Sequence, residues 1–131
     1  MSSVRILLVD DYEDWRDQVR SLLRARPEWQ IIGEASDGLA AIQRAEELRP
    51  DLILLDIGLP DLNGIEAARQ MRLIFPNSKI VFLSVDNSLD VVQAAMSTAH
   101  GFVHKARAQN DLLPAIDRVL RGEEVFPSLE C

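Results

Sequence analysis

Asp10 and Asp11, Asp56, Ser84 and Lys105 are the side chains of this sequence whose types and positions could do chemistry together. Each comes at the end of a short run of β-favouring apolar residues: VRILLV before the acidic pair, LILL before Asp56, KIVFL before Ser84 and GFVH before Lys105. In an open parallel α/β sheet, ligands bind beyond the carboxyl ends of the strands, so these runs would deliver the five side chains to one edge. Three carboxylates crowded there raise one another's pKa unless a cation neutralises them, and a hard divalent ion with oxygen ligands is the natural partner. Mg2+ fits best, because it keeps several waters and only one or two carboxylates, leaving room for a phosphoryl oxygen. Lys105 as a point charge and Ser84 as a hydroxyl donor suit the remaining phosphoryl oxygens. Asp56 lies on the central run, between the acidic pair and the Ser/Lys pair, and is the natural nucleophile. A carboxylate attacking phosphorus yields an acyl phosphate, a transfer that needs positioning and charge neutralisation more than proton chemistry.

The elements that must hold these residues are legible as an alternating series. Five apolar runs, Val4–Val9, Gln30–Ala35, Leu52–Leu55, Lys79–Leu83 and Gly101–His104, predict strands. Trp15, Val19, Leu22 and Leu23 follow the i, i+4, i+7, i+8 spacing of a helical stripe, as do Leu112, Ile116, Val119 and Leu120. A second helix would turn Ala41, Ile42, Ala45 and Leu48 inward, and a third would turn Ile65, Ala68 and Met71 inward after a capping-box-like Asn63-x-x-Glu66. The fourth is expected over about Ser88 to Ala99, with Val92, Ala95, Met96 and Ala99 inward. Pro27, Pro50 and Pro76 each follow a helical pattern and stop it. Pro114 is tolerable if the last helix begins near Asn110, which places it near the first turn. Strict β/α alternation with strands apolar throughout implies an α/β fold, a three-layer sandwich with a parallel sheet between helices.

Composition narrows the function classes. At 131 residues, 47% of them hydrophobic, the chain matches one domain with a real core. Its formal charge of −7 and the lack of a Lys/Arg cluster oppose binding to nucleic-acid backbones by this chain alone. No apolar stretch approaches the roughly 20 residues of a membrane span and no signal-peptide pattern opens the chain, so a cytoplasmic protein without membrane contact is expected. The single cysteine, Cys131, forms no internal disulfide, and no Cys/His spacing suggests zinc. No glycine-rich nucleotide loop follows any strand. His100 and His104 read as structural or surface residues, and Trp15 and Trp29 as core or edge packing.

Taken singly, each candidate has an ordinary explanation. An acidic pair after a strand caps a helix and favours its dipole, a lone Asp forms a turn, a lone Ser caps, and a lone Lys is a solvated charge. Phe102 alone reads as core. Joint placement at four strand ends is what makes the coincidence improbable.

Together, Asp10-Asp11, Asp56-Ile-Gly-Leu-Pro60 with Gly64, Leu83-Ser84 and Gly101-Phe102-Val-His-Lys105 resemble the receiver domain of two-component response regulators, over nearly the whole chain. The Leu83-Ser84-Val85 run, the Gly101-Phe102 pair and Arg121-Gly-Glu after the last helix are most similar to the NarL/LuxR-type subfamily. The resemblance implies a flavodoxin-like, five-stranded parallel sheet in the order 2-1-3-4-5, a receiver domain over residues 1–122, and the start of a linker or tail over 123–131. It implies Asp56 as phosphoacceptor, Asp11 and Asp56 as Mg2+ ligands, Asp10 supporting the metal partly through water, and the Gly58 carbonyl as a backbone ligand. Ser84 would be the switch hydroxyl, Phe102 the aromatic that follows it, and Lys105 the phosphoryl-pairing lysine.

The implied donor is a phosphohistidine on a sensor histidine kinase. The implied output is a change of partners, often dimerisation, on the helix 4/strand 5/helix 5 face, with DNA reached only through an output domain outside this chain. Two departures from the family pattern stand out: Thr98 replaces a frequent glycine at the end of the fourth helix, where a left-handed cap favours glycine, and Gly58 and Asp86 flank the path of the hydrolytic water. An aspartyl-phosphate hydrolase would use the same nucleophile and metal, but it usually needs a second Asp where this chain has Gly58. An interaction module of the same fold that is never phosphorylated is the other alternative.

Overall fold

The computed structural model describes residues 3–127; Cys131 and the end of the expected tail lie outside the described residues. Five strands, β1 (Val4–Val9), β2 (Trp29–Ala35), β3 (Leu52–Asp56), β4 (Lys79–Ser84) and β5 (Gly101–His104), alternate with five helices. The helices are α1 (Glu13–Leu23), α2 (Gly38–Leu48), α3 (Gly64–Ile74), α4 (Leu89–Met96) and α5 (Ala108–Leu120), the last preceded by one 3-10 turn, Lys105–Arg107. All strands pair in parallel in the order β2-β1-β3-β4-β5, the order expected of the flavodoxin-like fold.

The period-2 alternation of each strand divides the core into two layers. Leu7, Val9, Ile53, Leu55, Ile80, Phe82 and Phe102 face α2, α3 and α4, where small residues such as Ala45, Ala68 and Ala95 let the helices sit close. Ile6, Leu8, Leu52, Leu54, Val81, Leu83 and Val103 face α1 and α5, packing on Val19, Leu23, Leu112, Ile116 and Val119. Strands covered on both faces are apolar along their length, and this is why β3 is buried from end to end. No helix among the described residues is long and apolar enough to cross a membrane.

Helix ends follow local chemistry. Asp37 accepts a hydrogen bond from Ala40 N at 2.7 Å to start α2, and Asn63 accepts one from Glu66 N at 3.0 Å to start α3. The capping box is half formed, since the Glu66 carboxylate turns outward to Arg69 and Gln70. Arg49 ends α2 in the left-handed region, φ 49°, immediately before Pro50.

Three expectations need correction. Helix α4 ends at Met96, and Met96 is 42% exposed instead of inward, because the chain turns after Ser97 to bring Thr98 and Ala99 under the sheet. Thr98 is buried and its backbone is not left-handed; its hydroxyl donates to Ala94 O at 3.0 Å, closing the helix end by a side chain instead of a glycine cap. Helix α5 begins at Ala108, two residues before the expected start, which puts Pro114 inside it on the exposed face.

After α5 the chain turns at Gly122 and runs back beside β5, where Val125 N donates to His100 O at 3.0 Å and Phe102 N donates to Val125 O at 2.8 Å. The outer edge of the sheet is thereby partly paired, and Phe126 packs against the layer that contains Phe102.

Candidate functional site

The carboxyl ends of β1, β3 and β5 bring the predicted charges together. Asp10 directly follows β1 and is 1% exposed; Asp56 is the last residue of β3 and is 7% exposed. Asp11 is exposed beside them. One carboxylate oxygen from each of Asp10, Asp11 and Asp56 lies within 4.8 Å of the others. That separation is one a single small cation can bridge.

Lys105, in the turn after β5, reaches back across the sheet edge. Its Nζ donates to Asp10 Oδ2 at 2.6 Å and stands 3.6 Å from Asp56 Oδ1. Asp10 Oδ1 accepts from Tyr12 N at 2.9 Å, so both of its oxygens are satisfied. Asp56 is less well served: burial pushes its carboxyl above the usual carboxylate range and the charge of Asp10 adds to this. The Lys105 ammonium and the Gly58 backbone N–H pull the other way, and Asp11 adds a last, smaller push upward.

The loop after β3 is shaped for close approach. Gly64 N donates to Ile57 O at 2.8 Å, and a Cβ on Gly64 would lie 2.1 Å from Asp56 O. Only glycine fits there. Gly58, in contrast, is exposed, with nothing within 4 Å of an added Cβ.

Ser84 and Phe102 are placed differently. Ser84, the last residue of β4, is buried, and its hydroxyl donates to Asp86 O at 3.0 Å while accepting from Asp86 N at 3.1 Å. It is therefore engaged with its own loop and not with the carboxylates. Asp86 in turn accepts from Ser88 N at 2.9 Å, which holds its carboxyl below the usual range. Phe102 is buried in the layer under α4, apart from the charged cluster. His100 accepts from Ile80 N through Nδ1 at 3.0 Å, and burial lowers its pKa to about 4; it is a structural residue, as expected.

Two neighbours were missed by reading the sequence. Arg16 on α1 donates to Asp10 O at 2.5 Å and to Glu34 Oε1 on β2 at 2.9 Å, tying the acidic loop to the next strand. Arg20 pairs with the same Glu34 and with Asp17. The available signal was Glu34 itself, a charge inside an apolar β run. The second is Trp15, whose ring lies 5.1 Å from Lys105 Nζ.

A parallel sheet in this order, with an acidic cluster and a lysine meeting at its carboxyl edge, defines a class that the comparisons name. The chain belongs to the response regulator receiver domain family, which it matches over residues 6–117. Within the family its relatives are of the NarL/LuxR type. It is 40% identical over 122 residues to the nitrate/nitrite response regulator protein NarL of Escherichia coli K12, covering 92% of this chain and 56% of that protein. It is 35% identical over 124 residues to the response regulator protein VraR of Staphylococcus saprophyticus, covering 94% of this chain and 59% of that protein. The crystal structure of a LuxR-family two-component response regulator from Aurantimonas sp. SI85-9A1 superposes with a TM-score of 0.90 at 31% identity, covering 95% of this chain and 90% of that one. The signal receiver domain of NarL from Mycobacterium tuberculosis does so with a TM-score of 0.88 at 26% identity, covering 94% of this chain and 100% of that one. The chain thus spans between 56% and 59% of the length of these two curated relatives.

Proposed function

We propose that this chain is a phosphorylation-operated switch in which Asp56 accepts a phosphoryl group from a phosphohistidine of a sensor histidine kinase. The observation that carries the reading is the arrangement of Asp56 itself: buried, pushed up by burial and by Asp10, and flanked by the Lys105 ammonium. Such a carboxylate gains from any cation brought to it. Asp10, Asp11 and Asp56, with the Gly58 carbonyl, would hold Mg2+, whose chemistry is to neutralise the carboxylates and the charge of the transferring group. In the transfer an Asp56 oxygen forms a bond to phosphorus as the phosphorus–nitrogen bond of the donor breaks, and the histidine leaves with its electron pair. Lys105 and Ser84 then take phosphoryl oxygens.

For Ser84 this means leaving the Asp86 backbone, and the space so vacated on the α4 side is where Phe102 responds. The face of α4, β5 and α5 is the surface whose partners change, by dimerisation. Residues 1–122 form the switching unit and 123–131 begin a linker, with transcriptional output and DNA contact assigned to a domain outside this chain. The setting is cytoplasmic. A hydrolase of phosphomonoesters is disfavoured because Gly58 supplies no acid/base side chain.

Incubation with Mg2+ and acetyl phosphate should add one phosphoryl group by intact mass, and chelation or Asp56→Asn should abolish it. Equal labelling of Asp56→Asn and wild type would remove Asp56 from the role.

A further inference from the structure

Trp15 has no part in the reading above, yet its placement is specific. The Lys105 ammonium sits over its indole ring, 5.1 Å from the ring centre, within the range of a cation–π contact. The indole Nε1–H is buried and has no hydrogen-bond partner. An unpaired buried donor is unfavourable, so the position is occupied for the ring's face and in spite of its polar edge. The Lys105 side chain is 14% exposed, its ammonium within reach of Asp10, Asp56 and the indole at once. Trp15 and Lys105 together border a cleft of about 380 Å³ between α1 and the start of α5, which Gln18, Ser21, Leu22 and Gln109 also line.

We propose that Trp15 is the positioning residue for Lys105, a role that rests on the phosphoacceptor reading. A lysine ammonium is a compact point charge on a flexible stem, and holding it in one place costs rotamer freedom. A flat apolar wall removes part of that freedom in advance and keeps water from one side of the charge. The indole face attracts the ammonium without offering an oxygen. It therefore competes neither with Asp10 nor with an incoming phosphoryl oxygen, and it retains the ammonium while Lys105 exchanges one for the other.

Trp15→Phe keeps an aromatic face and Trp15→Leu keeps apolar bulk without one; Trp15→Met replaces the latter should it fail to fold. With Mg2+ and acetyl phosphate, the second-order rate of phosphorylation should stay within about threefold of wild type for Phe. For Leu or Met it should fall about five- to thirtyfold, equivalent to about 1–2 kcal/mol at 1.36 kcal/mol per tenfold. A second readout needs neither metal nor donor: in a Trp29→Phe background, where Trp15 is the single indole, Lys105→Met should shift the emission of the metal-free protein. A wild-type rate in the folded Leu variant, or an emission indifferent to Lys105→Met, overturns the proposal. Failure of the wild type to accept a phosphoryl group would instead count against the phosphoacceptor role, and the emission experiment would still decide whether Trp15 holds Lys105.

Discussion

Asp56 is held at a cost in the metal-free protein. Its folded pKa lies above the ordinary value, chiefly through burial, so the charged form destabilises the fold at neutral pH, and that penalty disappears as pH falls through the folded pKa and on below the unfolded one. Asp56→Asn keeps the shape and removes the charge. It should raise the stability of the chelated protein by on the order of 1 kcal/mol, a few degrees in thermal midpoint, at about pH 7 and by almost nothing near pH 3. Equal midpoints at neutral pH would show that Lys105 already compensates the charge. Added Mg2+ should raise the wild-type midpoint more than that of the Asn variant, because an ion that binds only the folded state stabilises it by mass action. His100 works in the opposite direction along the pH axis. Burial, then Arg72 and Lys79, lower its pKa from 6.5 to about 4, so its contribution is complete above 6.5 and is lost as pH falls toward 4. The loss should be about 2 kcal/mol after discounting for solvent at this half-buried ring, and His100→Asn should flatten it. Urea midpoints across that window, compared between the two proteins, give the answer.

At the scale of elements, α5 contains the clearest conflict between local and tertiary preference. Pro114 gives the Asn110 carbonyl no amide partner, a penalty of about 3 kcal/mol in a helix interior. The helix continues through it because Leu112, Ala115, Ile116 and Val119 are buried against the sheet, and burial of the leucine, isoleucine and valine side chains is worth about 1.5–3 kcal/mol each. Pro114→Ala should therefore stabilise the domain by about 1–2 kcal/mol, the gain being trimmed by the extra freedom of the unfolded chain. Chemical denaturation measures this directly, and a destabilised variant would mean that the proline ring itself packs. The helical stripes of α1 and α5 were legible because their apolar residues recur at the helical period. The start of α5 at Ala108 and the end of α4 at Met96 were not, since both are set by where the chain must turn to meet the sheet.

At the scale of the whole molecule, the outer surface around α4 carries apolar residues that the fold leaves uncovered. Val85 is 74% exposed, Leu89 53% and Met96 42%. Phosphorylation would replace the single charge of the Asp56 carboxylate by the about −1.5 to −2 of a phosphoryl group, a net gain of about one negative charge at most on a chain already at −7, so any association it triggers has to overcome added repulsion through such contacts. Light scattering with and without Mg2+ and acetyl phosphate should show self-association tightened about five- to 150-fold on phosphorylation, the usual range of coupling between two sites. Leu89→Asp should abolish that change while leaving the phosphorylation of Asp56 intact. An unchanged monomer in the phosphorylated wild type would assign the output to a different surface.

Alternating β and α periods, strands apolar on both faces, and polar residues that begin where each apolar run ends were enough to foresee the sheet and to bring Asp10, Asp11, Asp56 and Lys105 to one edge. These features are local, written in spacing that a single pass along the chain can read. Other features depend on contacts between residues far apart in the chain, for which the sequence carries no spacing signal. Lys105 chooses Asp10 over Asp56, and Arg16 donates both to the Asp10 carbonyl and to Glu34 on the neighbouring strand. The closing strap at Val125 and the indole of Trp15 behind Lys105 belong to the same group. Sequence determined which charges would meet; only the packed sheet and helices decided which of them are paired, which is left at a cost, and what stands behind the lysine.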